Sequence, residues 1–534
     1  MEKNETYTVT AEGYTAEGAA ITRINGVVIF VPGLLIGEEA EIGITAMKKN
    51  YGYGRVIKVT KPSEHRVTPK CSVARTCGGC TLQMMDDEAQ KFFKEEKLRE
   101  CFRANAGMEI QNLPILRVDP VWNYRNKVQI PVQLVKGEVR MGFYRTHSND
   151  IVPYETCMVQ TELSNRMTDF FRKELAKLRI TDHFRHVLIK HAHRSGEVMV
   201  VIIVRDYPFA GSEKLTKDLL KEFPEVKSFS AIINRKESNV ILDGKEVLIY
   251  GRPYIEEQLL DATFRIHARS FYQINPYATE VLYSTALDYA QLDKNTTLVD
   301  LYCGTGTMGI LGAKRAKKVY GIEIVADAIK DAKINAEANN VHNIQFVNAD
   351  AGKGAQMIIR SRIKVDAMIV DPPRKGCSRD TLEAINKISP KRLVYVSCDP
   401  ATLARDVKIL TDMGFKVEKI QPVDMFPQTV HIETVCALSK LSEAKHHISV
   451  QVDMDELDVT AAESKATYEE IQEWVQEKYG FHVTHLNIAK TKRKCGIIER
   501  QNYNLPKSED SRSPETPKEK EEAIIEAFRH FQMA

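Results

Sequence analysis

A strand that ends in a glycine loop constrains this chain more than any other feature in it. Thr296-Thr297-Leu298-Val299-Asp300-Leu301-Tyr302 is a largely apolar run, it stops at Cys303-Gly304-Thr305-Gly306-Thr307-Met308-Gly309, and a helical pattern follows to about Ala316. A strand, a tight glycine turn and a helix N-terminus together make a nucleotide-type site. The next strand, Lys318–Ile324, puts Glu323 near its C-terminal end, where an acid can hold ribose hydroxyls. Residues 263–442 continue to alternate strand and helix. The fold class this predicts is α/β, a doubly wound Rossmann-like sheet with its ligand beyond the C-terminal strand ends. The three glycines alone do not separate NAD from S-adenosylmethionine.

Downstream residues break the tie. Asp350, after Ile344–Asn348, falls where a third strand could reach an adenine amino group, although a plain helix cap reads equally from the sequence. Asp371 closes the run Val365–Val370 and begins Asp371-Pro372-Pro373-Arg374. A fifth run, Leu393–Ser397, ends in Cys398-Asp399-Pro400, with Asp399 as N-cap and Pro400 as first residue of a helix over Ala401–Met413. A thiol at the positive end of a helix is expected to have a lowered pKa and to act as a nucleophile. An Asp-Pro-Pro turn followed by a cysteine at the next strand end is a methyltransferase-like layout for which a dehydrogenase has no use. Arg374 after Pro-Pro, where an aromatic would stack a target base, argues against N-methylation of adenine.

The rest of the 534 residues divides into three more segments. Residues 1–62 read as five short strands (Tyr7–Thr10, Ala19–Ile24, Val27–Val31, Ala40–Ala46, Gly54–Val59), with Asn25-Gly26 as a hairpin turn. They predict a small OB-like barrel on which Lys48, Lys49, Tyr51, Tyr53, Arg55 and Lys58 place basic and aromatic groups together for RNA. Residues 63–262 mix strands (Tyr124–Pro131, Val198–Val204) with helices (Glu88–Ala104, Thr161–Leu178). They also hold Cys71-x5-Cys77-Gly78-Gly79-Cys80, a metal-ligand spacing that lacks a fourth donor, for which Cys101 and Cys157 compete. Residues 443–534 read as an extension with helices over Thr467–Tyr479 and Lys518–Phe531, a linker over Lys507–Lys520, and a basic run Lys490-Thr491-Lys492-Arg493-Lys494 that could touch phosphate. Net charge is only +3, so an RNA surface must arise from local segregation of charge. No apolar run reaches the ~18 residues of a membrane span, and Met1-Glu2-Lys3-Asn4-Glu5 does not begin a signal peptide. Ten cysteines without such a signal point to reduced thiols in the cytoplasm.

Taken together, Ser397-Cys398-Asp399-Pro400, Asp371-Pro372-Pro373-Arg374, Asp300-Leu301-Tyr302-Cys303-Gly304-Thr305-Gly306 and His431-Ile432-Glu433-Thr434-Val435 resemble the RNA (uracil-5-)-methyltransferases over residues 1–440. The barrel and the cysteines resemble the bacterial 23S rRNA branch with a TRAM domain and an iron–sulfur cluster. The resemblance implies a class I S-adenosylmethionine methyltransferase domain at 263–442, a TRAM barrel at 1–62, a central α+β domain with a [4Fe–4S] cluster at 63–262, and an extension of unknown function at 443–534. Cys398 would add to uracil C6, and Glu433, on a strand predicted over Val430–Leu438, would remove the C5 proton. His431, of the same parity in that strand, is a rival base. Tyr302, Glu323, Asp350 and Asp371 match cofactor-contact positions. In Ser270-Phe271-Tyr272-Gln273 the Phe would stack on the base and Gln273 would contact cofactor or uracil. The family pattern selects Cys157 to join Cys71, Cys77 and Cys80. Partners implied are RNA, 23S rRNA first, with no membrane and a monomeric enzyme. The alternatives are a tRNA uracil-5- or RNA cytosine-5-methyltransferase, or an RNA-binding assembly factor without activity.

Overall fold

The computed structural model describes residues 1–146, 148–236, 240–440, 468–495 and 516–531, in two compact units, Met1–Glu443 and Ala444–Ala534.

The C-terminal sheet of the first unit has seven strands, numbered here in chain order: β1 Thr297–Leu301, β2 Lys318–Glu323, β3 Ile344–Asn348, β4 Ala367–Val370, β5 Arg392–Ser397, β6 Phe415–Val423 and β7 Glu433–Lys440. Their order is β3-β2-β1-β4-β5-β7-β6; the first five are parallel and β7 lies antiparallel between β5 and β6. Central strands covered on both faces must be apolar throughout, and β4 (Ala-Met-Ile-Val) is buried at every position. The direction of chain between β1 and β4 reverses the order of the sheet, so a crevice opens at their C-terminal ends.

Thr6–Thr10, Gly13–Tyr14, Ala19–Ile24, Val27–Pro32, Glu39–Met47 and Tyr51–Lys61 form the N-terminal barrel sheet, one short strand more than expected. Tyr51-Gly52-Tyr53-Gly54 shows how its last strand is made. Tyrosines alternate outward, whereas a Cβ at Gly52 would stand 2.8 Å from Ile29 Cδ1 and one at Gly54 3.0 Å from Ile42 Cδ1. The outward rings of Tyr51 and Tyr53 cluster with Phe30 at centroid distances of 5.6–5.9 Å, and Lys48, Lys49, Arg55 and Lys58 are exposed on the same module.

A second seven-stranded sheet, Lys245–Gly251, Val226–Ile233, Val198–Val204, Phe184–His191, Lys127–Val135, Glu138–Tyr144 and Ile151–Pro153, packs on the helices Glu162–Leu178 and Ser212–Glu222. The helix Asp87–Ala106 ties these parts together. Asp86 caps it, Leu98 and Phe102 join the core under β1 and β5, and Phe93 packs with Leu35 of the barrel. Barrel Gly18, at φ +82°, comes so close that a Cβ would meet Val430 Cγ1 at 2.9 Å. The barrel therefore reaches the segment that leads into β7.

In the second unit, Tyr468–Tyr479, His485–Lys494 and Lys518–His530 bury Ile471, Val475, Ile488, Ile524 and Phe528. The middle helix contains the basic run. The Lys492 ammonium sits 4.4 Å from the Tyr468 ring centroid, and Lys494 pairs with Glu521 at 2.8 Å. The linker expected over Lys507–Lys520 lies outside the described residues as far as residue 515.

Candidate active site

Backbone conformation explains the glycine loop. Tyr302, Gly304 and Gly306 all adopt left-handed φ (+67°, +55°, +82°), and a Cβ at Gly306 would crowd Phe346 and Ala332 at 3.0–3.1 Å. The helix Thr307–Ala313 follows. Glu323 braces the turn: its carboxylate accepts the Gly304 N–H at 3.1 Å and the Val325 N–H at 2.9 Å. Beyond the strand ends lies a cavity of about 540 Å³, lined by Phe271, Tyr302, Glu323 and Asp371 among the expected residues, and also by Asp300, Thr305, Thr307 and Asp331.

Two expected residues are absent from that lining. Asp350 is exposed and caps the helix Ala351–Arg360 by accepting the Gly352 N–H at 3.0 Å, so the cap reading is the one realised. Gln273 is buried, and its carbonyl accepts from Asn126 Nδ2. Phe271 sits at the mouth, 68% exposed.

Asp300 is a residue the sequence reading passed over. It is 2% exposed, its Oδ2 has no hydrogen-bond partner among the described residues, and burial together with the nearby Asp371 pushes it up to about 8. Gly309 makes room for it, since a Cβ there would stand 3.0 Å from Asp300 Oδ2. An acid within the apolar run Leu298-Val299-Asp300-Leu301 was the signal. The folded chain holds this proton at pH values where the unfolded chain, at 3.8, has lost it. Stability from this group is therefore full below its unfolded pKa and falls as pH rises toward about 8. Asp300→Asn is expected to flatten the decline of melting temperature with pH across that window; equal slopes in both proteins would refute the assignment.

Asp371 lies between this cavity and a second group of side chains. Ser397 pairs with Thr434 across β5 and β7, so the next positions outward, Cys398 and Glu433, come together at the strand ends. Burial pushes Cys398 up to about 11, aided by Glu433 and Asp371 and opposed by Arg374. This overturns the expected lowering. Asp399 does cap the helix Pro400–Asp412, but its carboxylate takes the Ala401 and Thr402 N–H groups at 3.0 Å, so the amides that could favour a thiolate are occupied. Glu433 is 4% exposed and held well above the usual carboxylate range by burial, then by Asp371. Asp371 itself is raised by burial to about 7. A thiol and an adjacent carboxyl, both kept protonated without ligand, can exchange protons with a bound ring once it enters. His431 precedes β7 and is exposed, so the shared strand parity that made it Glu433's rival does not exist.

A separate cavity of about 520 Å³ is lined by Cys71, Cys77, Cys80 and Cys157, with Phe143 and Tyr154 among its apolar walls. Cys101 is not part of the lining. Burial, then the neighbouring thiols, push Cys80 up to about 12. Among the described residues no three His, Cys, Asp or Glu side chains surround one point closely enough for a single metal ion.

A family model described as tRNA (Uracil-5-)-methyltransferase matches residues 226–441, and a TRAM domain model matches residues 2–57. Two relatives described as uncharacterized RNA methyltransferases, from Clostridium tetani and Oceanobacillus iheyensis, are 37% and 41% identical over 453 residues, 83% of this chain and 98% of each relative. The chain belongs to the TRAM-bearing RNA uracil-5-methyltransferase family. Among solved structures, the tRNA (uracil-54, C5)-methyltransferase of Pyrococcus abyssi, in complex with S-adenosyl-L-homocysteine, is 26% identical to it. Their TM-score is 0.65, with 81% of this chain and 99% of that one covered. This RNA methyltransferase thus belongs to an S-adenosylmethionine-dependent family, and its catalytic sheet is the Rossmann-like fold of such enzymes. No helix among its described residues is long and apolar enough to cross a membrane.

Proposed function

We propose that this enzyme, a cytoplasmic monomer, methylates C5 of uridine in 23S rRNA, with Cys398 as nucleophile and Glu433 as the base that removes the C5 proton. The observation that carries the reading is the meeting of a thiol and a buried carboxyl at the ends of β5 and β7, both under the influence of Asp371, which also lines the nucleotide-sized cavity.

Uracil C5 is a weak nucleophile. As Cys398 gives up its thiol proton to solvent and a sulfur lone pair forms a bond to C6, the C5–C6 π pair moves toward C5 and O4, and C5 becomes enolate-like. S-adenosylmethionine supplies an electrophilic methyl group on a sulfonium. C5 takes that methyl group and then carries both hydrogen and methyl. Glu433, once it has released its own proton to solvent, removes the hydrogen as a proton, the electron pair left behind restores the C5–C6 double bond, and the sulfur–carbon bond breaks to free Cys398 as a thiolate that recovers a proton. Tyr302, Glu323 and Asp371 would hold the co-substrate, and the orphaned Oδ2 of Asp300 fits a further donor from it. Phe271, exposed at the mouth, suits stacking on a flipped base. The aromatic and basic face of the barrel suits the flanking strand.

The cysteine cavity fits a [4Fe–4S] cluster in its donor set. Four thiols share one site, the Gly79 N–H lies 3.4 Å from Cys77 Sγ, and thiols that raise one another's pKa need a cationic centre to ionise together. A polynuclear cluster also holds its thiolates farther apart than a single ion does. The resemblance of the barrel and the four cysteines to the 23S rRNA branch favours that substrate. The likeness to the Pyrococcus abyssi enzyme favours a second reading, tRNA. Incubation with labelled S-adenosylmethionine and separate rRNA and tRNA pools tests both: 5-methyluridine in 23S rRNA is the expected product. Label confined to tRNA overturns the substrate, and 5-methylcytidine overturns the base.

A further inference from the structure

The segment that delivers Glu433 to Cys398 is held largely by groups from outside its own sheet. Asp424 is fully buried between Lys94 and Arg117. Asn275 Nδ2 donates to the Met425 carbonyl at 3.1 Å, the Tyr124 hydroxyl to the Pro427 carbonyl at 2.9 Å, and Lys97 Nζ to the Val430 carbonyl at 3.0 Å. At the centre of this stretch Gln428 is 3% exposed and adopts a left-handed φ of +71°, a conformation that a non-glycine residue keeps only when its surroundings over-determine it.

Those surroundings include the cysteine loop. The N–H groups of Thr81 and Leu82, the two residues after Cys80, both donate to the Gln428 carbonyl at 3.1 Å. Gln90, 1% exposed on the helix Asp87–Ala106, closes the link from the other side. Its Oε1 accepts the Gln428 N–H at 3.1 Å, and its Nε2 lies within bonding distance of Gln428 Oε1 (3.1 Å) and of the Leu82 and Met85 carbonyls (3.3 and 3.0 Å). Every polar group of the Gln428 backbone is thus tied either to the residues beside Cys80 or to the glutamine that grips them. Glu433 lies five residues farther along, with Thr429 Oγ1 accepting the His431 N–H between them.

We propose that Gln90 and Gln428 are positioning residues that couple the cysteine loop to Glu433, so that the conformation of the loop at Cys80 sets the alignment of the base with the nucleophile. The inference rests on the reading of Cys398 and Glu433 given above. It assigns the cysteine centre a part in the reaction that needs no electron transfer: an ordered loop holds Gln428, and Gln428 holds the base. Cys398 is carried by β5 and does not depend on this link, so loss of the link impairs proton removal and leaves nucleophilic addition intact.

The test uses the full chain. Gln90→Leu removes every polar contact of that side chain. Gln428→Gly keeps the backbone bonds and tolerates the left-handed φ, while it removes the buried side chain and with it the Oε1 contact to Gln90. In Gln90→Leu kcat is expected to fall about 10-fold with KM for S-adenosylmethionine and RNA unchanged, as for a misplaced catalytic group. The denaturation-resistant protein–RNA adduct should accumulate as it does in Glu433→Gln, with a smaller rise in Gln428→Gly. Hydrogen exchange of residues 424–433 should rise in Cys80→Ser and in Gln90→Leu, and the double variant should show no further increase. Adduct in Glu433→Gln but in neither glutamine variant would overturn the coupling, as would additive exchange in the double variant. Absence of adduct from Glu433→Gln itself would instead overturn the underlying chemistry.

Discussion

Cys398→Ala is expected to lower methyl transfer by at least about 10⁴-fold, the size of loss seen when a covalent nucleophile is removed. Without sulfur at C6 the ring has no route to an enolate-like C5, and the carboxyl beside it cannot substitute, because Glu433 at this burial is a base and not a carbon nucleophile. The variant should fold. Cys398 is only partly buried and lies outside the hydrophobic core clusters, and the cap that starts the next helix belongs to Asp399. Melting temperature and S-adenosylmethionine binding should therefore match the wild type while labelled 5-methyluridine disappears and no adduct forms. Turnover at the wild-type rate would remove the sulfur from the mechanism altogether. Near-complete loss of activity with a large drop in melting temperature would point to packing, not chemistry.

How much of this was legible beforehand differs between the sheet and the site. Val198–Val204 is a strand at the bounds its sequence predicts, because a buried strand is a continuous apolar run punctuated by polar or turn residues, and the edge strand Ile344–Asn348 also keeps its expected bounds. Local capping was legible too: Asp399 starts its helix as its residue type requires. What the sequence could not display is tertiary. Lys94 follows Phe92-Phe93 like any surface lysine, yet it is fully buried on Asp424, 330 positions away. The last strand was expected from Val430 but begins at Glu433, because Gln428, Thr429 and Val430 are held in a bend by Gln90, Thr81, Leu82 and Lys97. Nothing in residues 428–433 announces partners from 80 to 97.

The same distinction governs the site. Glu323 and Asp371 were legible because an acid at a strand end faces the crevice whatever packs behind it. Asp350 stands two residues past its strand, where its carboxylate caps the next helix by accepting the Gly352 N–H. The pKa of Cys398 was misjudged for a related reason: a helix N-terminus acts on a thiol only if its amides are not already satisfied. Asp399, read as the cap, is the residue that satisfies them.

That environment shapes the second large effect. Glu433 is buried beside Asp371 and keeps its proton far above the usual carboxylate range, so Glu433→Gln copies the resting, uncharged side chain in shape and charge. Addition of Cys398 to C6 and methylation of C5 are expected to proceed in this variant, whereas proton removal stalls. Turnover should fall about 10³-fold, within the range for loss of a general base, and RNA should remain bonded to the enzyme through Cys398. Denaturing gels with labelled RNA read the trapped species directly, and a Cys398→Ala, Glu433→Gln double variant should show none. His431→Ala gives the opposing arm. With its side chain exposed ahead of β7, this residue should cost less than about 10-fold and trap nothing, as fits a group outside the proton path. Adduct in His431→Ala, together with steady turnover by Glu433→Gln, would transfer the base to His431.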